Sequence, residues 1–300
     1  MATFNDLVED TLAHLRGYVR DQELSTHITG SLTNVATTAV VGDSDVVSRG
    51  RIEIDDELLY VESVNRGTDT LTFAPYGRGM DGTTAASHNA SARVIVNPLF
   101  PRKRVKDALN QTIRSLDGEL FGVAATTFAW DPGKWTYELP ATAKAVLAVE
   151  YEVPWDTPEW FPARRWDFNR MADTTDFTTG KSITINDAIT PGMTVRVTYA
   201  KTLTALSGNT DVFSTVTGLP ESCEDVVVLG ATARLLLTSE AFRLNTRAVE
   251  PNQLDLRTQP GQPSQLSRFV FQMFRARVAE EKAALLGDYP VRVHYTARVR

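Results

Sequence analysis

The side chains of this 300-residue chain that could do chemistry are few and scattered. Asp43-Ser-Asp45 and Asp55-Asp-Glu57 offer oxygen ligands of the kind hard cations take. Neither run has the glycine and distal glutamate placement of a calcium loop, and acids of this type are usually exposed, so turn and surface carboxylates are the plainer reading. His14, His27, His88 and His294 stand apart, with no HExxH and no second histidine four residues on, which argues against a zinc enzyme. Cys223 is the only cysteine, so neither a disulfide framework nor a thiolate zinc site can form within the chain, and an inert buried thiol is expected. No Gly-x-Ser-x-Gly elbow, phosphate-cradling glycine loop or dinucleotide fingerprint occurs. The reading therefore assigns no catalytic residue, no cofactor and no metal ligand.

Three other groups are better suited to contact than to catalysis. All five tryptophans, Trp130, Trp135, Trp155, Trp160 and Trp166, fall within one stretch together with Tyr137, Tyr151, Phe161 and Phe168. Aromatics dominate both cores and interfaces, so Trp155, Trp160 and Trp166 are expected at an outer surface or subunit contact. Stacking on sugar rings is the alternative. Pro101-Arg-Lys-Arg104 is a short basic patch that could touch phosphate, although a solvated face is the simpler account. At the C-terminus, Val291, Val293, Tyr295 and Val299 alternate with Arg292, His294, Arg298 and Arg300. With Tyr289 these residues predict a docking strand for another chain, a larger ring partner or a neighbouring subunit, because a strand at a chain end needs backbone partners.

The elements that must position these groups follow from periodicity. Phe4, Leu7, Val8, Leu12, Leu15 and Val19 predict a helix over 4–22, and short β-rich runs separated by turn residues make 30–100 a small all-β module. Val105, Leu109, Ile113, Leu116 and Leu120 predict a second helix after Pro101. Strand patterns resume from Phe128 to about Phe213, consistent with a sandwich. Pro220 and Glu221 open a third helix running to Phe242; a Pro- and Gln-rich linker, Val249 to Pro263, precedes a fourth, which Ser264 caps and Gly287 closes. The predicted fold is α+β: a helical bundle core of about four helices drawn from 1–29, 101–124 and 219–300, interrupted by two all-β insertions at 30–100 and 125–218, the second sandwich-like.

Composition adds limits. Lys plus Arg total 31 against 37 Asp plus Glu, a net charge of -6, so the overall field does not gather nucleic acid. Such a wall would let DNA slide past without gripping it. No stretch approaches the roughly 20 apolar residues of a membrane span, so no membrane partner is expected, and synthesis in a cytoplasm is.

Arg51-Ile-Glu-Ile-Asp-Asp-Glu-Leu-Leu-Tyr-Val-Glu-Ser-Val, Leu71-Thr-Phe, Gly77-Arg-Gly-Met-Asp-Gly-Thr-Thr-Ala-Ala-Ser-His88 and Ala92-Arg-Val94 together resemble a β module found in phage virion proteins. The physical content of that stretch is turn glycines at 79 and 82, loop ties from Thr83 and His88, and close packing at Ala85 and Ala86. The wider order of helices around a β sandwich is similar to the head-to-tail adaptors of tailed phages. The resemblance implies a virion structural protein of the neck, at the portal vertex. It would form a homo-oligomeric ring, a dodecamer, contacting the portal protein above and a stopper or other tail protein below, with genomic DNA passing through unread. It also implies that the 30–100 module sits on the outer side and that no reaction is catalysed. A tail or baseplate protein that binds a host-surface carbohydrate through the tryptophans is the alternative, and a carbohydrate-active enzyme a third.

Overall fold

The computed structural model describes residues 1–18, 23–153, 159–247 and 262–289. Helix α1 (Phe4–Tyr18) buries Phe4, Leu7, Val8, Leu12 and Leu15, which recur at helical spacing on one face. Six strands follow: β1 (Ser25–His27), β2 (Thr38–Val40), β3 (Gly50–Ile54), β4 (Glu57–Asn65), β5 (Thr70–Phe73) and β6 (Arg93–Val96). Helix α2 (Arg102–Leu116) leads to β7 (Gly122–Ala129), β8 (Thr136–Glu138), β9 (Ala143–Val153), β10 (Glu159–Pro162), β11 (Trp166–Asn169), β12 (Ser182–Ile185) and β13 (Thr194–Lys201). Three helices complete the described chain: the short α3 (Phe213–Thr217), then α4 (Glu224–Arg247) and α5 (Gln262–Asp288).

The chain divides into two compact units, one formed by Met1–Asn5, Thr112–Val227 and Phe271–Arg300, the other by Asp6–Gln111 and Val228–Val270. In the second of these, the six strands form one antiparallel sheet in the order β1-β6-β3-β4-β5-β2. An isolated bridge between Ile28 and Val41 links the chain beyond its two edge strands, so the sheet curls into a half-barrel. Ile28, Val41, Ile52, Ile54, Leu59, Val61, Leu71 and Val94 fill its interior. The second half of β3, Ile52 to Ile54, is buried on both faces, because Glu53 lies under the first turn of α2, whose Arg102 N–H donates to its Oε1 at 2.7 Å.

In the other unit, a four-stranded sheet ordered β10-β9-β13-β7 and a three-stranded sheet ordered β11-β12-β8 enclose a common core. Trp130, Tyr137, Val149, Ile183, Ile185, Val195 and Val197 are its buried members. Burial alternates along most of β7, β11 and β13, as a two-sheet sandwich requires.

A bundle of four helices is not the core. Among the described residues, five helices stand beside a six-stranded half-barrel sheet and a two-sheet sandwich, and the sheets dominate the N-terminal part. The error has a plain physical source: an apolar stripe along a helix fixes which face is buried but not whether a helix or a sheet covers it. Residues 122–124, which the pattern placed with a helical segment, instead open β7 because β13 pairs with them from Gly122 onward. Helix α5 begins at Gln262, two residues before Ser264, and runs through Gly287 to Asp288. Most of the predicted linker, and Val19 of the first helix, lie outside the described residues.

Candidate functional site

The most densely bonded polar group is built on the turn between β3 and β4. Residues 55 and 56 close that hairpin, with Asp55 at φ 52°, and Glu57 is the first residue of β4, paired with Ile54. Its carboxylate is almost fully buried, with a side chain only 1% exposed. Oε1 accepts from Arg78 Nε at 2.7 Å and from the Gly79 N–H at 3.0 Å. Oε2 accepts from an Arg78 terminal nitrogen at 2.9 Å and the Ala86 N–H at 2.9 Å, and lies 2.8 Å from His88 Nε2. Burial pushes the Glu57 carboxyl up, but the bonds from Arg78, Ala86 and His88 outweigh it and bring its pKa to about 2.

Arg78 extends the arrangement. Beyond its paired bonds to Glu57, it donates to the carbonyls of Thr33, Ala36 and Ala86 at 2.8–3.0 Å, so one guanidinium ties together the β1–β2, β3–β4 and β5–β6 connections. His88 is held by the backbone exchange with Leu32, and its Nδ1 lies 2.7 Å from Asp55 Oδ2. Thr83 Oγ1 donates to the Met80 carbonyl and accepts the Leu58 N–H. The turn carrying Arg78 depends on two glycines. A Cβ on Gly77 would stand 2.8 Å from the Ala74 carbonyl oxygen and 2.9 Å from that of Tyr60, and Gly79 has φ +64°. The whole is a latch that joins loops far apart in sequence to the end of β4.

A cleft of about 420 Å³ opens beside it, lined in part by Asp55, Asp56, Ser87, His88, Lys103 and Lys106. The lysines on its walls are already paired. Lys106 Nζ lies 2.7 Å from Asp56, Lys103 Nζ 2.7 Å from Asp107, and Asp55 faces His88. Asp55, His88 and Glu57 form a string, not a cage; among the described residues no group of three or more His, Cys, Asp or Glu side chains is placed to hold a metal ion. Glu53, one strand away, has its carboxyl pushed up to about 7 by burial, against the Arg102 N–H bond and the Arg102 charge, which lower it.

The residues singled out from the sequence are dispersed. Trp130 is buried in the sandwich core, and Trp166, on β11, packs against it half-buried. Trp160, on β10, has Arg196 stacked over its ring, 4.0 Å from the centroid, while Arg196 is also paired with Glu150 at 2.6 Å. Trp135 is exposed. No open row of ring faces is formed by these four; Trp155 lies outside the described residues. In the basic patch, Arg102 is paired with Glu9 and Asp56 and is only 13% exposed, so it serves the seating of α2. Cys223 is buried, and burial and the neighbouring Glu281 carboxylate push its thiol up to about 12, which keeps it inert. Tyr289 follows α5 half-buried, its N–H bonded to the Leu285 carbonyl at 2.9 Å. Val291, Arg292, Val293, His294, Tyr295, Arg298, Val299 and Arg300 lie outside the described residues.

Glu57 is not the surface carboxylate that its run suggests: of Asp55-Asp-Glu57, the third member is the buried one. Its signal was a glutamate at the start of a strand with an Arg-Gly pair and a histidine downstream. No protein-family model and no curated protein matches the chain. Among the described residues no helix is long and apolar enough to cross a membrane.

Proposed function

We propose that the chain is a structural subunit of a tailed-phage virion, a head-to-tail adaptor that stands as one copy in a ring of twelve below the portal. It joins capsid to tail and leaves the genome a passage that binds no particular sequence. The observation that carries this reading is the saturated Glu57 latch. The stretch in which the chain resembles virion β modules spends its glutamate, arginine and histidine on fixing three loops. That use suits a particle part that must hold its shape under load, and it leaves those groups none of the freedom turnover needs. A β sandwich lying between α2 and the later helices adds support, since the adaptors hold a sandwich between helices in that way; the half-barrel at 30–100 is a departure from their pattern. The net charge of -6, which disfavours a grip on phosphate, also supports the reading. The described tryptophans lend the sugar-binding alternative little, because Trp130 is in the core, Trp166 packs against it and Trp160 is covered by Arg196, which leaves Trp135 alone exposed among them.

Electron microscopy and mass measurement of the purified chain, alone and mixed with portal rings, test the proposal. The expected result is a twelve-copy ring seated coaxially on the portal. A chain that never joins portal rings, and whose loss leaves filled heads able to receive tails, sinks it.

A further inference from the structure

Sheet edges are where a β protein is open to other chains, and natural sequences guard them with shortness, charge or proline. Most edges here are guarded. Strands β1, β2 and β8 are three residues each, β10 holds Glu159 and Pro162, and β11 holds Asp167. Strand β7 is the exception: eight residues, Gly-Val-Ala-Ala-Thr-Thr-Phe-Ala, with no charge and no proline, at the end of the four-stranded sheet.

One side of β7 is fully paired with β13, Gly122 against Lys201 through Ala129 against Thr194. The Val123 N–H points the other way and donates to the Gly218 carbonyl at 2.9 Å, which closes only the start of that side. By the alternation of an antiparallel ladder, the backbone groups of Ala125, Thr127 and Ala129 face the same open side, where no partner meets them among the described residues. Their side chains are exposed, whereas Ala124 and Phe128 pack against the sandwich core. The open length is six residues, about 20 Å.

The complement is in the chain's own sequence. From Val291 to Val299 every odd position is apolar and every even one is polar or basic. Laid along β7, the odd row would continue the inward row of Ala124 and Phe128, and the even row would face water beside Thr127. Nine residues span about 30 Å, enough to cover the open length.

We propose that the open edge of β7 receives residues 291–299 of a second copy of the chain as an added strand. The proposal rests on the ring reading for its choice of a second copy. A strand given by one face and taken by another is a heterologous contact, the kind that closes into rings.

The experiment pairs cysteines across the contact. Thr127→Cys is combined in turn with Arg292→Cys, His294→Cys, Thr296→Cys and Arg298→Cys; Cys223 is buried and does not compete. Under mild oxidation at least one combination should give disulfide-linked dimers and higher multimers on a non-reducing gel. If no combination links, or if links form only within one chain, the proposal is overturned. A second variant guards against a folding artefact. Thr127→Pro with Ala125→Lys alters only the open side of β7 and should weaken self-association by about tenfold or more with an unchanged melting curve. Deleting 290–300 should do the same, and combining the two changes should add nothing. Association equal to the parent chain in either variant overturns the proposal. Linked copies that never complete a head would refute the adaptor reading and leave this contact standing; a ring on the portal without any link would do the reverse.

Discussion

Replacing Glu57 by glutamine keeps the shape of the latch and removes its charge. The folded carboxyl sits at about 2 against an ordinary 4.5, with the side chain 1% exposed. A shift of that size corresponds to about 3 kcal/mol of stability at neutral pH. Because the folded value is depressed, that stability is fully present above pH 4.5 and is lost as pH falls from 4.5 towards 2. In Glu57→Gln, one of the two oxygens becomes an NH2 donor facing donors, whichever way the amide is turned: Arg78 and Gly79 on one side, Arg78, Ala86 and His88 on the other. The loss should therefore reach about 3–5 kcal/mol, the range for breaking a buried pair from one side. Urea titration of the full chain, followed by a probe in the half-barrel, reads it directly, and the variant should also lose most of the acid dependence between pH 4.5 and 2. A loss under about 1 kcal/mol, or an acid profile that matches the parent, would refute the claim that this carboxylate organises the loops.

Glu53 predicts the opposite slope. Its folded pKa is raised to about 7, so its contribution is present below pH 4.5 and lost as pH rises through 7; Glu53→Gln, which still accepts the Arg102 N–H, should flatten that decline and raise stability at pH 8 in a thermal melt. Trp160→Ala should destabilise the sandwich by about 1–2 kcal/mol through loss of the Arg196 stack and its partial burial, with no change on a glycan array; a glycan affinity abolished by the substitution would favour the sugar-binding alternative. Duplex DNA should bind weakly and without sequence preference at physiological salt, since Arg102, Lys103 and Lys106 are already paired with acids; a tight band-shift under those conditions would count against the passage role.

Local patterns were the legible part of this fold. The helical spacing of Phe4, Leu7 and Leu15, the strand alternation of Arg51 to Val64 and the aromatic content of the sandwich all lie in windows of a few residues, and the elements they indicate are present. What lay beyond such windows was missed. Glu57 meets Arg78 and His88 across 21 and 31 residues, and nothing local marks the third acid of a run as the buried one. Strand β7 escaped notice because Ala124-Ala-Thr-Thr127 has no large apolar residue to set a period; its partner β13, about seventy residues away, decides it. The packing of the helices was misjudged for the same reason, since the covering surface is a long-range property.

The two buried glutamates also show why a perturbed carboxylate beside a cleft need not be a reaction centre. A general base needs a pKa near the working pH and a lone pair open to the proton it takes. Glu57 lines the cleft, but at about 2 it is too weak a base, and both its oxygens are occupied by donors. Glu53 has a suitable value, about 7, yet it is 2% exposed, bonded to the first N–H of α2, and absent from the cleft wall. Each meets one requirement and fails the other. Their opposed shifts are therefore better understood as a stability profile: the half-barrel gains firmness as pH rises from 2 to 4.5 and yields some of it between 4.5 and 7. In a urea titration followed by a probe in the half-barrel, the double variant Glu53→Gln, Glu57→Gln should lose most of both slopes at once and leave a lower stability. A double variant that keeps either slope would place the titrating group elsewhere.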